Sequence, residues 1–501
     1  MKNFAVEQME VVNNLPTGQD GWERPAPKPA RSTVAIPSRV ICRRPAGSRA
    51  SVRRSERTSS REDPCISLTG DRRGALTPRP LTGKRNMKAW KEITYYGGFD
   101  WARDHHDVVI VDRRGQMVAD FAIEHTAEGW QRWREQVAAL GAENLAVCLE
   151  TSHGIVVEQL LESGVTVYPI APVSSKAYRE RKAPSGTKTD RLDAWSLADA
   201  LRLDGHSWKA LAKEDPLIAE LRLLCRDEIA LIEERTALLN QLQSALQEYY
   251  PAALEAFEDW TLPAAWAFVE VFPTPARLAA AGQRKWEKFL HVHKLARPQT
   301  YAKRLEIFAR GSELAAGEAL TRSKSRLALA RIRMLRVLQH QIEAYRAEIE
   351  KLFAQHPDHH LFGSLPGAGP KIAPRLLGEI GSDRARFDDP SALQALAGTA
   401  PVSYQSGQIH KVYLRRHCNK SLRATIHLWA NLSRRASPWA ALYYQSLRAR
   451  GKSHASALRS LGQRWLKILW KIWQTRRSYD PDLHTRNQLQ HGSWILRFQS
   501  P

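Results

Sequence analysis

Four carboxylates stand where chemistry is possible. Asp100 closes the apolar segment YYGGFDWA, Glu150 closes NLAVCLE, and Asp190 and Asp193 lie three residues apart in KTDRLDAWSLADAL. A spacing of three puts two side chains on one face of a helix. Side chains at the carboxyl ends of neighbouring strands point into one crevice of an open sheet. Four carboxylates meeting there repel strongly unless cations neutralise them. Hard oxygen donors suit Mg²⁺, and two such ions about 3.5–4 Å apart can activate an attacking oxygen and stabilise a leaving one on a phosphodiester. A single acid is more often a solvated surface group, so the weight rests on the set and its succession of elements. Sequence alone does not separate these four from their neighbours Asp104, Asp107, Asp112 and Asp199.

The elements that must position the acids are legible. YYGGFDWA, HDVVIVD and MVADFAIEH read as three short strands, with DRRG as the turn between the second and third. TAEGWQRWREQVAALG has apolar residues at helical spacing, with Thr126 as N-cap. NLAVCLE then reads as a buried strand, HGIVVEQLLESG as a helix, VTVYPIAP as a strand and KTDRLDAWSLADALRLDG as an amphipathic helix. Three strands followed by alternating helix and strand predict an α/β domain over 91–210, with the mixed sheet of the RNase H-like (RuvC-like) fold.

Beyond it, residues of about 215–250 and of about 322–353 carry Leu and Ile at spacings of three and four. They predict two long antiparallel helices or an intermolecular coiled coil, forming a helical arm over 211–355. The bridge of about 251–321 is less legible. A compact, basic, mainly helical domain follows over 356–479, then a polar tail over 480–501. Residues 1–90 are rich in Pro, Ser, Arg and Gly and sustain no apolar period. They read as a basic disordered arm or as an over-extended start ahead of Met87.

Composition narrows the partners. Lys and Arg number 75 against 52 Asp and Glu, a formal charge of +23 with a pI near 10.0. Such a field attracts polyanions, DNA and RNA first among them. No apolar run approaches the roughly 18 residues of a spanning helix, which argues against a membrane partner. The start MKNFAVEQMEVVNN is too acidic and interrupted for a signal peptide. Five scattered cysteines without a C-x-x-C pair argue against a disulfide framework and a structural zinc site, and for a reducing cytoplasm. Cys148, inside NLAVCLE, reads as a buried small hydrophobe.

GGFDWARDHHDVVIVD, CLETSHG and KTDRLDAWSLADAL resemble the three blocks of DEDD-type insertion-sequence transposases related to the Piv-type DNA invertases, the bridge-RNA-guided recombinases. A second set, LPGAGPKIAPRLLGEIG, RFDDPSALQALAGTAPVSYQSG and NKSLRATIHLWA, resembles that family's own C-terminal domain. The resemblance spans about residues 95–475, with both sets in order. It implies a DNA transposase that cuts and rejoins strands, with Asp100, Glu150, Asp190 and Asp193 holding a pair of Mg²⁺ ions for which Mn²⁺ can substitute. It implies a serine nucleophile at Ser406 of YQSG, with Ser403 as a nearby alternative, assisted by the metal-bound acids. It also implies DNA and a structured guide RNA as partners, and a homo-oligomer, dimer or tetramer, with the long helices as dimerisation arms. A Ser before Gly is otherwise ordinary turn chemistry. His410 and His417 read as phosphate contacts or solvated residues.

Other features are weighed on their residues. LPGAGPK exposes backbone N–H groups that suit a phosphate, or is a tight turn. HKVYLRRH and SLRARGKSHASALRS place cations among aromatics, a pattern for phosphates and unpaired bases. Trp465, Trp470 and Trp473 have helical spacing and read as core. One departure from the family pattern is Cys418, where a Gly usually precedes the Asn; a positive φ there would suit Cys poorly. Two rival readings stay open: a RuvC-like junction nuclease using metal-activated water, with Ser406 structural, and a non-catalytic nucleic-acid-binding regulator.

Overall fold

The computed structural model describes residues 90–183 and 185–493. The readings of residues 1–89 therefore lie outside the described residues. The chain divides at about residue 212 into a sheet unit and a helical unit.

In the sheet unit, β1 (Tyr95–Trp101), β2 (His105–Asp112) and β3 (Met117–Glu124) form an antiparallel meander. Next come α1 (Ala127–Leu140), β4 (Leu145–Leu149), α2 (Ile155–Glu162), β5 (Thr166–Pro169), α3 (Pro172–Lys182) and α4 (Asp190–Asp204). The sheet order is β3-β2-β1-β4-β5, with β1, β4 and β5 parallel. This mixed order is consistent with the RNase H-like arrangement expected from the pattern. Thr126 caps α1 as its sequence suggests, accepting from the Gly129 N–H at 3.1 Å. The segment PVSSKAYRERK, which has no apolar period, is the helix α3.

Strand alternation sorts the side chains. Phe99, Val108, Ile110 and Val147 pack beneath the sheet with Trp130 and Trp133 of α1 and Val157 and Leu160 of α2. Tyr96, Val109, Ala146 and Cys148 pack on the other face, under Ala194, Leu197 and Ala198 of α4. Cys148 is fully buried, and burial pushes its thiol pKa up. Gly98 is what lets α4 lie so close. A Cβ at that position would sit 1.8 Å from the Ala194 carbonyl oxygen and 2.6 Å from the Ala198 nitrogen.

The helical unit is framed by α5 (Pro216–Tyr249) and α10 (Glu318–Gln355). Their contacts run in opposite order: Glu248 with Lys324, the Gln241 carbonyl with Arg331, Arg235 with Gln339, Glu228 with Arg346. The pair is antiparallel. Neither helix is a free-standing arm, because each end is built into a core. Leu239, Leu242 and Leu246 of α5 and Ala328, Ile332 and Leu335 of α10 join a core made by α6 (Pro251–Ala256), α7 (Pro263–Val271), α8 (Pro275–Val292) and α9 (Pro298–Ala309). These four helices resolve the bridge that sequence left illegible.

At the opposite ends, Ile218, Leu221 and Cys225 of α5 and Ile349 and Leu352 of α10 join a second core. It comprises α11 (His359–Gly363), α12 (Gly369–Ile380), α13 (Pro390–Leu396), α14 (Lys420–Ala436), α15 (Pro438–Ala449) and α16 (His454–Thr475). Trp465 and Trp473 are fully buried there and Trp470 packs against them, as their helical spacing predicts. Two features depart from the expected run of helices and tail. An exposed hairpin, β6 (Val402–Ser406) and β7 (Ile409–Tyr413), interrupts the domain, and the polar tail contains α17 (Pro481–Gln490), docked through His484 on Tyr479 and Trp439.

Candidate active site

The acids gather at one edge of the sheet unit. Asp100 shares the face of Tyr96 and Gly98, the face under α4. Its register partner on β2 is Asp107, so the two carboxylates stand side by side on adjacent strands. Glu150 follows β4, two residues past Cys148, which is paired with Gly98. Thr189 caps α4, accepting from the Leu192 N–H at 3.2 Å, and this starts the helix so that Asp190 and Asp193 fall in its first turn. A helix N-terminus favours negative charge, which offsets part of the repulsion. Because Gly98 admits α4 onto β1, that first turn lies over the Asp100 edge.

Electrostatics register the crowding. Asp100 is half-buried and its pKa is raised from the ordinary 3.8 to about 7, first by loss of water and then by Asp193, Asp190, Glu150 and Asp107. Asp107 is also pushed up, by burial first, while His105 pulls it down and Asp190 and Asp120 push it further. Asp193 is only 8% exposed and is held by Arg179 Nη1 at 2.8 Å. Arg179 in turn holds its proton more tightly, chiefly through that hydrogen bond, with Glu150 also contributing.

The four predicted acids are therefore electrostatic neighbours, and the structure adds three residues. Among the described residues, the His105, Asp107 and Asp190 side chains are the group whose ligand atoms all come within 4.8 Å of one another. Asp100, Glu150 and Asp193 do not join that trio, although Asp190 and Asp107 act on Asp100 together with Asp193 and Glu150. Carboxylates spread apart under mutual repulsion, and Arg179 draws Asp193 to itself. The signal for Asp107 was present in HHDVVIVD: alternation puts His105, Asp107, Val109 and Val111 on one face. Arg179 had no such signal, because PVSSKAYRERK carries no apolar stripe.

The other neighbours have ordinary roles. Asp112 turns the β2–β3 connection, accepting from the backbone N–H groups of Arg114 and Gln116. Asp199 is buried between Lys182 and Arg202. Asp104 is exposed and its backbone carbonyl accepts from the His125 N–H. The donor set at the edge, carboxylates with one imidazole, fits a hard divalent cation.

Ser406 lies in the helical unit, at the tip of the β6–β7 hairpin, paired with Ile409 across a two-residue Gly407–Gln408 turn. Gly407 has φ 55°, which a side chain adopts reluctantly and which hairpin turns of this length require. Every residue of the hairpin is exposed, including Tyr404 and Tyr413. Ser403 sits three residues back, opposite Val412, so alternation turns it to the other face from Ser406.

In the LPGAGPK loop the first glycine packs closely against α14. Gly367 has φ 76°, and a Cβ there would meet the Ser433 nitrogen of α14 at 2.7 Å; Trp429 Nε1 donates to the Pro366 carbonyl at 3.0 Å. Cys418 avoids positive φ, and its sulfur instead covers Gly398, whose φ is 66°. The next residue, Asn419, caps α14 through Leu422 N–H and donates to Glu379.

A sheet of this order with acids at its carboxyl edge is consistent with the class of RNase H-like, acid-centred enzymes. Comparison with known proteins narrows the class. Residues 97–251 match the DEDD-type IS110 transposase family, and residues 359–445 match the family described as "Transposase IS116/IS110/IS902 family". The chain is 34% identical to the "Mini-circle putative transposase for IS117" of Streptomyces coelicolor over 400 residues, 78% of this chain and 97% of that one. It is 27% identical to the "Insertion element IS116 uncharacterized 44.8 kDa protein" of Streptomyces clavuligerus over 77% of this chain and 96% of the relative. It is 30% identical to the "Insertion element IS110 uncharacterized 43.6 kDa protein" of Streptomyces coelicolor over 59% of this chain and 73% of the relative. The chain belongs to this family of DEDD-type insertion-sequence transposases, enzymes that cut and join DNA. Membership carries the use of a divalent metal. No helix among the described residues is long and apolar enough to cross a membrane.

Proposed function

We propose that the enzyme moves its element by cutting and rejoining DNA through a phosphoester on Ser406, with Mg²⁺ held by Asp100, Glu150, Asp190 and Asp193. The observation that carries the metal reading is the convergence on Asp100, whose carboxyl feels four other acids at one sheet edge. The bound ions would neutralise a phosphodiester and stabilise charge on the oxygen that leaves it. Asp107, beside Asp100, and His105 extend the donor set. Thr189 fixes the α4 carboxylates, Gly98 fixes their height above β1, and Arg179 orients Asp193.

Ser406 Oγ would give up its proton as it attacks phosphorus. A serine–phosphorus bond forms, the strand's oxygen leaves and takes up a proton, and a second strand's hydroxyl later reverses the exchange. The bond energy is kept, so no nucleotide cofactor is needed. The exposed hairpin tip supports this role, because a nucleophile for duplex DNA must stand clear of its own fold.

DNA is the substrate, and a structured guide RNA is the further partner this reading includes. It includes self-association too. On the face of α10 turned away from Ala328, Ile332 and Leu335, the residues Leu320, Ser323, Leu327, Ala330, Met334 and Val337 are exposed at heptad spacing.

The test of the nucleophile is a denaturing gel of the reaction with labelled DNA. The parent and Ser403→Ala should show protein-linked DNA, whereas Ser406→Ala should bind DNA normally and show none. Adduct formation by Ser406→Ala would end the serine assignment.

A further inference from the structure

The two apolar cores of the helical unit leave a polar waist between them, where α5 and α10 are crossed by α12. Glu228 and Arg235 stand seven residues apart on α5, Gln339 and Arg346 seven apart on α10, and Lys371 and Arg375 four apart on α12. These spacings put each pair on one helical face. The six side chains meet in one cluster.

Glu228 is buried and accepts from Arg346 Nε and from Arg375 Nη2, each at 2.7 Å. Arg235 Nη1 donates to the Gln339 carbonyl oxygen at 2.7 Å. Two of the cluster's four cations thus bond its one buried carboxylate, while Arg235 and Lys371 only lie within its field. Asp259 also acts on Arg235, and the nearby Glu379 is already taken by Arg226 and Asn419. Arg375 is 8% exposed, and its Nε is buried without a hydrogen-bond partner, as is the Nε of Arg235. A buried N–H left unpaired costs about 1–3 kcal/mol, more when it is charged. Burial and the neighbouring Arg346, Arg375 and Arg235 loosen the Lys371 proton; burial and Arg346 loosen that of Arg235. Lys371 lies at the outer edge of the cluster, its side chain exposed although partial loss of water still loosens its proton.

We infer that this waist is an anion site that takes a nucleic-acid backbone phosphate, with Lys371 at its mouth and Arg235, Arg346 and Arg375 beneath. Two unused N–H donors and an excess of positive charge are what a phosphate oxygen satisfies, and guanidinium forks match its geometry. The site shares no residue with the acid edge or with the Ser406 hairpin. It rests on the transposase reading only for the source of the phosphate, a DNA or an RNA strand.

The experiment uses the full chain and inorganic phosphate, exchanged for chloride at constant ionic strength, with melting and calorimetry as readouts. Parent protein should melt higher in phosphate and bind about one ion. Arg235→Gln and Lys371→Gln should lose most of that response, whereas Lys371→Arg and Lys285→Gln, the latter removing an exposed charge elsewhere, should keep it. Single-stranded DNA and RNA oligonucleotides, titrated across salt, then identify the source. Each lost phosphate contact lowers the slope of log affinity against log salt by about 0.7 for a single strand. A lower slope for one strand type in Lys371→Gln names that strand as the occupant. Equal phosphate responses in all variants, or unchanged slopes with both strands, would overturn the site. Asp100→Asn, which removes a metal ligand, should leave the phosphate response intact, so failure here and failure of the recombinase reading are distinguishable.

Discussion

Replacing Asp100 by Asn tests the acid edge without any DNA. The Asp100 pKa is raised from 3.8 to about 7, a difference of about three pH units. At about 1.4 kcal/mol each, this bounds the cost of ionising it in the fold at about 4 kcal/mol. Asp100 is only half-buried, and water and salt screen its neighbours, so about half of that, roughly 2 kcal/mol, is the expected effect. The sign follows from proton binding. The folded state holds this proton more tightly than the unfolded chain, so ionisation destabilises the fold progressively from about pH 4 to pH 7 and fully above it. Asp100→Asn should therefore match the parent near pH 4 and exceed it by roughly 2 kcal/mol at pH 8 in chelator, a rise of several degrees in melting temperature. Divalent metal should reverse the ranking. The parent gains about 2.7 kcal/mol at a metal concentration 100 times its dissociation constant, and the variant, short of a ligand, gains much less. Thermal melts at pH 4 and pH 8, with EDTA and with Mg²⁺, measure all four quantities. If Asp100→Asn gains nothing over the parent between pH 4 and pH 8 in EDTA, the acids do not converge as described. Equal stabilisation of both proteins by metal would remove Asp100 from the ligand set.

Gly98→Ala drives a methyl group into the α4 backbone; a loss on the order of 3 kcal/mol and of recombination is expected by denaturant titration, and a near-neutral result would refute the close approach. Arg179→Gln leaves the nearly buried Asp193 without its partner, so the metal-free protein should lose about 1–3 kcal/mol and recover most of it in Mg²⁺; an identical loss in both buffers would show that Arg179 does not share the ligand's charge. Met334→Glu on the outer face of α10 should lower the sedimentation coefficient if that stripe joins protomers, while leaving the monomer's melting within about 0.5 kcal/mol, as for other surface changes; an unchanged coefficient would place the oligomer contact elsewhere.

Periodicity located the strands and all the helices of the sheet unit but α3, because period two in HDVVIVD and period 3.6 in the α1 and α4 segments report burial on one face. Thr126 is a local signal of the same kind, since a cap involves only neighbouring residues. Family blocks read from the same residues named the transposase. What periodicity lacks is partners. Asp107 looked equal to Asp104 and Asp112 until the β1–β2 register set it opposite Asp100 and sent Asp112 into a turn. Arg179 lies in a helix whose mean composition is polar, so no apolar stripe announced it. LPGAGPK suits a phosphate loop and a tight turn equally in sequence, and only the packed structure sets Gly367 against α14. The waist of Arg235, Arg346, Lys371 and Arg375 joins residues as far apart as 235 and 375, and no local pattern links them. Local spacing records which face of an element is apolar; which charges then meet, and at what cost, is decided only when separate elements pack and water is removed between them.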